Sequence, residues 1–370
     1  MRMKICHITT VHTPFDGRIF HKECKSLATA GYEVFLVAPH DRNEEVDGVN
    51  VRGIKKITNP YKRLLVAPFM AFRAALKTKS RIFHLHDPEL LLPGFFISLT
   101  GRKVIFDSHE YVGQQILSKH WIPTRLLRFL ISVLYNLLEQ SLTIFFAGII
   151  VAEEDTKKQF RLKKRVKIIH NYPILHVINQ QKFEEISRNS DRIVIYVGGL
   201  TRIRGIKELV IAMRKIDARL WLLGPWESDH FRRECESIDA WDKCDYMGVI
   251  PFGKQYDYLR AADIGMATLY PEKNYLRSLP VKAFEYMACK LPIVMSDFDY
   301  WQDFFGEYAL FVNPRDPEDI ASKANHLLKN ESLMRKMSEE GFEKVNREYS
   351  WEEESRKLIG FYNEIVPAGN

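Results

Sequence analysis

The sequence predicts an α/β protein built from two doubly wound domains in series. Short apolar, β-rich runs alternate with stretches of helical periodicity along almost the whole chain. That alternation is the mark of parallel strands covered by helices on both faces. It is interrupted at one polar stretch, Gln180 to Arg192, and then restarts. The length of 370 residues fits two domains, at about 150 residues each.

In the first half, strand-like runs lie at Lys4–Thr9, Glu33–Ala38, Ile82–Leu85, Val104–Phe106 and Gly148–Ala152. Helical patterns at Phe20–Ala30 and Leu65–Lys77 separate them. The second half repeats the scheme with Ile193–Val197, Leu220–Leu223, Ile264–Ala267 and Ile293–Met295. From Asp316 the chain is helical and charged, and it ends in an aromatic–acidic helix from Trp351 to Ile365. The expected layout is a Rossmann-like domain over 1–172, a linker over 173–190 and a second Rossmann-like domain over 191–350. The final helix, 351–370, is expected to pack back onto the first domain. Two such domains facing each other across a deep cleft would hold ligands at the carboxyl ends of their strands.

Composition narrows the class. With 46% hydrophobic residues the chain has ample material for two cores, which excludes disorder. Cys6, Cys24, Cys235, Cys244 and Cys289 are scattered and odd in number, with no CxxC pair. Neither a disulfide framework nor a zinc knuckle is indicated, and a reducing, cytoplasmic setting is expected. Met1 to Ile8 lacks the apolar core of a secretion signal. The most apolar stretch, Leu126 to Ala152, is broken by Arg128, Asn136, Glu139 and Gln140, too often for a spanning helix.

The net charge of +7 is uneven. No acid occurs from Gly48 to His86 or from Tyr111 to Leu138, and a third basic cluster runs from Lys157 to Lys167. Such patches suit a phosphorylated ligand, an anionic membrane or nucleic acid, or are merely solvated. No nucleic-acid reading module accompanies them, so nucleic acid is not an expected partner.

Five constellations sit where loops should follow strands. The first, Thr9 to Phe20, is rich in small residues and contains Asp16 and Gly17. It suits an anion or a sugar hydroxyl, and equally an ordinary turn in which Asp16 caps a helix. It is not GxGxxG. The second and third, His84-Leu85-His86-Asp87-Pro88-Glu89 and Asp107-Ser108-His109-Glu110, mix imidazole with carboxylate. They could bind sugar, exchange protons or ligate metal. His84 and His86 point the same way on a strand, as a zinc pair does, but no third ligand of sensible spacing follows. His84 reads equally as a buried core residue.

The fourth, Gly198-Gly199-Leu200-Thr201-Arg202-Ile203-Arg204-Gly205, has the glycines and guanidiniums of a phosphate cradle. The fifth runs from Ser278 to Ala288, with Pro280 where a helix can begin and Lys282 in its first turn. A cation there opposes the helix dipole unless something negative binds beside it. Glu285 is placed to accept the two hydroxyls of a ribose.

With these residues in view, the chain resembles the retaining glycosyltransferases of family 4, which have the GT-B fold, and among them the bacterial surface-polysaccharide type. The likeness covers nearly all of the chain and is tighter in the second half. The family's G-R-L-x-x-x-K-G stretch falls on Gly198 to Gly205, with Arg204 at its lysine and Gly199 at its arginine, which Arg202 is placed to replace. Of two glutamates separated by seven residues, the ribose-binding one is Glu285. The other falls on Arg277, so its sugar contact is missing or passes to Glu272 or backbone. Asp263-Ile264-Gly265-Met266 and Leu291-Pro292-Ile293-Val294 resemble the flanking strands, and Met247-Gly248-Val249 the loop that packs on the base.

By this resemblance, the donor site comprises Gly17, Gly198, Gly199, Arg202, Arg204, Gly248, Val249, Leu279, Pro280, Val281, Lys282 and Glu285. His109, Arg204 and Lys282 are the implied catalytic residues, and Asp16, His86 and Glu110 the implied acceptor contacts. The implied reaction moves a sugar from a nucleoside diphosphate (UDP first, GDP next) to a hydroxyl of a glycan or lipid-linked saccharide, with retention.

No cofactor and no metal are expected. Asp297-Phe298-Asp299 is poorly placed for a metal pair, and the cations can stabilise the leaving diphosphate. The basic segments beside Leu126, Phe129 and Trp121 imply an anionic membrane partner and peripheral attachment to the cytoplasmic face of the inner membrane. A nucleotide-sugar epimerase and a degenerate, non-catalytic sugar-binding protein are the competing readings. A phosphorylase lacks its pyridoxal-phosphate lysine signature.

Overall fold

The computed structural model describes residues 2–108, 111–118, 122–180, 183–188 and 191–366. The chain divides into two compact units, Met1–Asn171 with Glu352–Asn370, and Tyr172–Trp351.

The first unit carries β1 (Lys4–Ile8), β2 (Glu33–Pro39), β3 (Glu44–Val46), β4 (Val49–Ile54), β5 (Ile82–Leu85), β6 (Lys103–Ser108), β7 (Gly148–Val151) and β8 (Val166–Ile168). They lie in the order β3-β4-β2-β1-β5-β6-β7-β8, parallel except for the β3–β4 pair. The second unit carries β9 (Ile193–Val197), β10 (Arg219–Leu223), β11 (Cys244–Gly248), β12 (Ile264–Ala267), β13 (Ile293–Ser296) and β14 (Ala309–Val312). Their order is β11-β10-β9-β12-β13-β14, all parallel. The inner strands are apolar on both faces, as helix-covered parallel sheets require, and β5, β7, β12 and β13 are buried throughout.

In each sheet the strand order reverses beside the first strand, between β1 and β5 and between β9 and β12. Loops leaving such a switch point diverge and open a crevice at the carboxyl ends. Both candidate loop sets, Thr9–Asp16 with His86–Glu89 and Gly198–Gly205 with the segment after Ala267, leave from these positions.

Five strands escaped the sequence reading. Four of them, β3, β8, β11 and β14, are sheet edges, which are short and, but for β14, carry charged residues. The β3–β4 hairpin turns at Asp47-Gly48, both at positive φ, the usual chemistry of a two-residue turn.

The expected helix over Phe20–Ala30 is in fact a π-type turn at Gly17–Cys24 continuing as an α-helix at Lys25–Thr29. The wider turn directs Arg18, Lys22 and Glu23 inward along with Ile19, Phe20 and Cys24. The segment expected as a linker, 173–190, is structured in part. Leu175–Gln180 is helical, and Leu175 and Ile178 are buried in the second unit's core.

The last helix, Trp351–Ile365, belongs with the first unit from Glu352 onward. Phe361 covers bare backbone at Gly148, and the Tyr362 hydroxyl reaches His84 Nδ1 at 2.7 Å. Among the described residues no helix is long and apolar enough to cross a membrane.

Candidate active site

In the second unit the chain leaves β9 through two glycines. Gly198 has φ +130, and its N–H donates to Leu223 O at 2.9 Å. Residues Arg202–Arg204 form a single 3-10 turn, closed by Gly205 at φ +68. A side chain at Gly205 would strike the Thr268 carbonyl. Only glycine holds the loop against the segment after β12 in this conformation.

Two cations converge over this bare backbone. A β-carbon at Gly198 would lie 3.2 Å from both Arg204 Nη1 and Lys282 Nζ, and one at Gly199 would lie 3.1 Å from Arg204 Nη1. The hydroxyls of Tyr196 and Tyr275 hold the Arg204 guanidinium. Lys282 extends from the first turn of the helix Val281–Ala288, with its Nζ 3.6 Å from the centroid of the Tyr196 ring. Pro280 precedes that helix as its cap. The Nζ is shielded from solvent, yet it has no hydrogen-bond partner among the described residues. Thr201 Oγ1 and Thr268 Oγ1 share that condition. Burial and the Arg204 charge push the Lys282 pKa well down, against the opposing pull of Glu285.

Three residues further along the same helix, Glu285 accepts a hydrogen bond from the Tyr256 hydroxyl at 3.2 Å. Gly248 ends β11 at φ +81, with open space beside it and an exposed Val249 next in sequence. Leu279 is partly buried against the core. The structure therefore gathers Gly198, Gly199, Arg204 and Lys282 at one point.

Arg202 does not join them. Its guanidinium stacks on Phe231 at 4.7 Å and pairs with Glu234, which also takes Lys207. A carboxylate on the outer face of the loop outcompetes the cradle for it, so Arg202 is no substitute for the missing family arginine. Arg277 is exposed, and Glu272 is half-buried, its backbone closing a turn onto Tyr275.

In the first unit, the Thr9–Phe20 and His84–Glu89 constellations meet at Asp87. Its Oδ2 accepts from Thr9 Oγ1 at 2.9 Å and from the Thr10 N–H at 2.5 Å. The Thr10 hydroxyl also reaches Glu89 at 2.9 Å. Asp16 caps the Gly17 turn, its Oδ1 accepting from the N–H groups of Arg18 and Ile19. Burial alone would raise its pKa, but His12 and these N–H groups hold it well below the usual carboxylate range.

His86 corrects the sequence reading. Its side chain is fully buried and stacks on His84 at 4.5 Å, because β5 turns both rings into the interior rather than toward an acceptor. His109, Glu110 and Trp121 lie outside the described residues.

Comparison with known proteins settles the family. Residues 177–344 match the family described as glycosyl transferases group 1, and residues 17–172 match glycosyltransferase family 4. The chain is a GT-B glycosyltransferase of the family 4 type. An uncharacterized glycosyltransferase from Methanocaldococcus jannaschii is 23% identical over 97% of this chain and 98% of its own. Sucrose-phosphate synthase from Thermosynechococcus elongatus aligns over 100% of both chains with TM-score 0.77 and 19% identity. Anabaena HepE in complex with UDP-glucose aligns over 98% of this chain and 100% of its own, with TM-score 0.73 and 12% identity.

Within this glycosyltransferase, sequence reasoning missed Thr268 and Tyr275 as parts of the site, and gave Tyr196 and Thr201, which flank the cradle glycines, no role of their own. Only the three-dimensional path brings Tyr275 to Arg204 and Thr268 to Gly205.

Proposed function

We propose that the enzyme transfers a sugar from a nucleoside-diphosphate sugar to a hydroxyl of a glycan or lipid-linked saccharide, with retention, in capsule, O-antigen or exopolysaccharide assembly. The observation that carries the donor assignment is the shielded Lys282 ammonium, without a hydrogen-bond partner among the described residues, beside Arg204 and two glycines. A buried cation without an acceptor is costly, and a diphosphate between Lys282 and Arg204 removes that cost. Thr201 and Thr268 offer hydroxyls to the same group. Uridine is the favoured base, because the structural relative HepE is a complex with UDP-glucose. Gly248 leaves room for the base beside Val249, and Glu285 takes the ribose hydroxyls.

The developing charge on the leaving diphosphate is met by Arg204, Lys282 and the N–H groups opening the helix at Val281, with no metal needed for that step. The glycosidic bond to the diphosphate oxygen breaks and the acceptor oxygen bonds on the same face, its proton passing to the departing phosphate. The acceptor is assigned to the first unit, where Asp16, Asp87 and the Thr9–Thr10 turn offer hydroxyl partners.

An anionic membrane surface is the second proposed partner. The helix Arg125–Thr143 exposes Leu126, Phe129, Leu130, Leu134 and Leu137, Leu126 at 68%. The helices Leu91–Ser98 and Pro60–Lys77 pack alongside and add Leu92, Phe96, Leu64, Leu65 and Phe69. With Arg125, Lys62 and Arg63 among them, this face has the makings of a peripheral lipid contact.

A nucleotide panel of UDP, GDP, ADP and CMP, titrated in EDTA, tests the donor reading. Saturable binding of one diphosphate, lost in Arg204→Ala and Glu285→Ala, is expected. No binding by folded protein would overturn it. An inverted anomeric product would refute retention, and failure to sediment with acidic vesicles at low salt would refute the membrane contact.

A further inference from the structure

Beneath the Thr9–Asp16 turn, in the interior of the first unit, four metal-binding side chains from three separate segments meet. His7 is on β1, Glu23 on the Gly17–Cys24 turn, and His84 and His86 lie on or just beyond β5. Each offers a ligand atom, and these atoms lie within 4.8 Å of one another with every residue buried. Glu23 Oε2 is 3.9 Å from His7 Nδ1, 3.8 Å from His84 Nδ1 and 3.9 Å from His86 Nε2. His7 Nδ1 and His86 Nε2 are 2.9 Å apart.

The three carboxylate–imidazole separations are too long for direct hydrogen bonds. Ligands bound tetrahedrally to zinc at 2.0–2.1 Å stand about 3.3 Å from each other. The observed spacings, from 2.9 Å to no more than 4.8 Å, bracket that value, so side-chain movements of about an ångström would bring all four to one ion.

The outer nitrogens of the three imidazoles face a carboxylate and a hydroxyl. Asp107 Oδ2 faces the outer nitrogens, 3.6 Å from His86 Nδ1 and 4.0 Å from His84 Nε2. The Tyr362 hydroxyl stands 3.4 Å from His7 Nε2. With an ion bound, protons on these outer nitrogens would leave His7 Nδ1, His84 Nδ1 and His86 Nε2 with lone pairs turned toward it, the carboxylate–histidine arrangement of metal sites. Tyr362 also touches His84 Nδ1 at 2.7 Å, a contact the ion would replace or share. Arg18 faces both carboxylates beside the cluster, 3.0 Å from Glu23 and 3.2 Å from Asp107.

We propose that His7, Glu23, His84 and His86 hold a divalent first-row transition ion, zinc by ligand number and type, that clamps β1 and β5 to the Gly17 turn. It lies in the first unit, whereas the proposed diphosphate site belongs to the second, and it takes no part in sugar transfer. Binding displaces the proton shared between His7 and His86. The linear sequence concealed the site because His84 and His86 find their other ligands 77 residues upstream at His7 and on a turn at Glu23.

The test is the metal content of tag-free, full-length protein, with the visible spectrum of protein from cultures given cobalt in place of zinc. One zinc per chain, and cobalt bands of tetrahedral intensity, are expected. Glu23→Gln and His86→Asn should each reduce bound metal by about tenfold or more. Folded wild type carrying neither ion overturns the proposal and leaves the cluster a hydrogen-bonded polar core. Metal kept at wild-type level by both variants also overturns it. If neither variant folds, X-ray absorption of the wild-type ion decides. Three imidazoles with a carboxylate support the site, and sulfur or all-oxygen ligation refutes it.

Discussion

In the first unit, Arg18 Nε lies 3.0 Å from Glu23 and 3.2 Å from Asp107, and its Nη1 donates to Ile169 O at 3.1 Å. In the second, Lys282 carries its ammonium into an equally shielded place and meets an aromatic ring and another cation. Both are buried charges on helical turns that follow a switch-point loop. One is in contact with its counter-charges, and the other feels only the pull of Glu285 and has no hydrogen-bond partner among the described residues. The contrast separates a charge that builds structure from one that waits for a ligand.

The largest expected effect breaks the first side of this contrast. Arg18→Ala leaves Glu23 and Asp107 buried and uncompensated, and should destabilise the protein by about 3–5 kcal/mol, read by denaturant unfolding. Lys282→Met should do the opposite. It removes a lysine whose folded pKa lies below its unfolded value, so the unfolded chain binds the extra proton and wild-type stability rises with pH in that window. The variant should gain stability, more at pH 6 than at pH 9, while losing donor binding. Equal destabilisation by the two substitutions would erase the distinction.

A smaller effect is expected at Glu139, on the exposed apolar helix. Burial raises its pKa to about 7, although the Tyr135 hydroxyl opposes the shift. The folded state then holds a proton that the unfolded state loses above about 4.5, so stability falls as pH rises through that interval. Glu139→Gln should raise stability at pH 8 by about 2–3 kcal/mol and leave it nearly unchanged at pH 5. The smallest effect belongs to Arg202→Ala. Its exposed pairing with Glu234 should contribute no more than about 1 kcal/mol, and diphosphate affinity should barely move. A loss matching that of Arg204→Ala would return Arg202 to the cradle.

The same contrast explains what could be read from the sequence. The second unit's site is largely contiguous, since Gly198 to Gly205 and Pro280 to Glu285 each occupy one loop and one helix start. Their chemistry therefore shows in local order. The first unit's charged centre draws on positions 7, 18, 23, 84, 86, 107 and 362, and no local pattern announces it. Interior strands apolar on both faces were legible, whereas β4, with Asn50 and Arg52 on one face, and edges such as β3 and β8, where one side meets water, were not. His86 was misread for a related reason. Alternation along a strand tells that His84 and His86 share a face, but not that the face is inward.

The central claim is that Lys282 and Arg204 form a diphosphate site held ready by bare glycine backbone. It is tested most directly by calorimetric titration of UDP at pH 8 in buffers of different ionisation enthalpy, with EDTA present. The expected result is net proton uptake on binding by the wild type, because a bound diphosphate raises the Lys282 pKa that burial and Arg204 hold down, and affinity that weakens as pH rises. Lys282→Met should show no uptake and much weaker binding, with uridine alone nearly unaffected. Binding of undiminished strength by Lys282→Met, with the same proton uptake, would contradict the assignment.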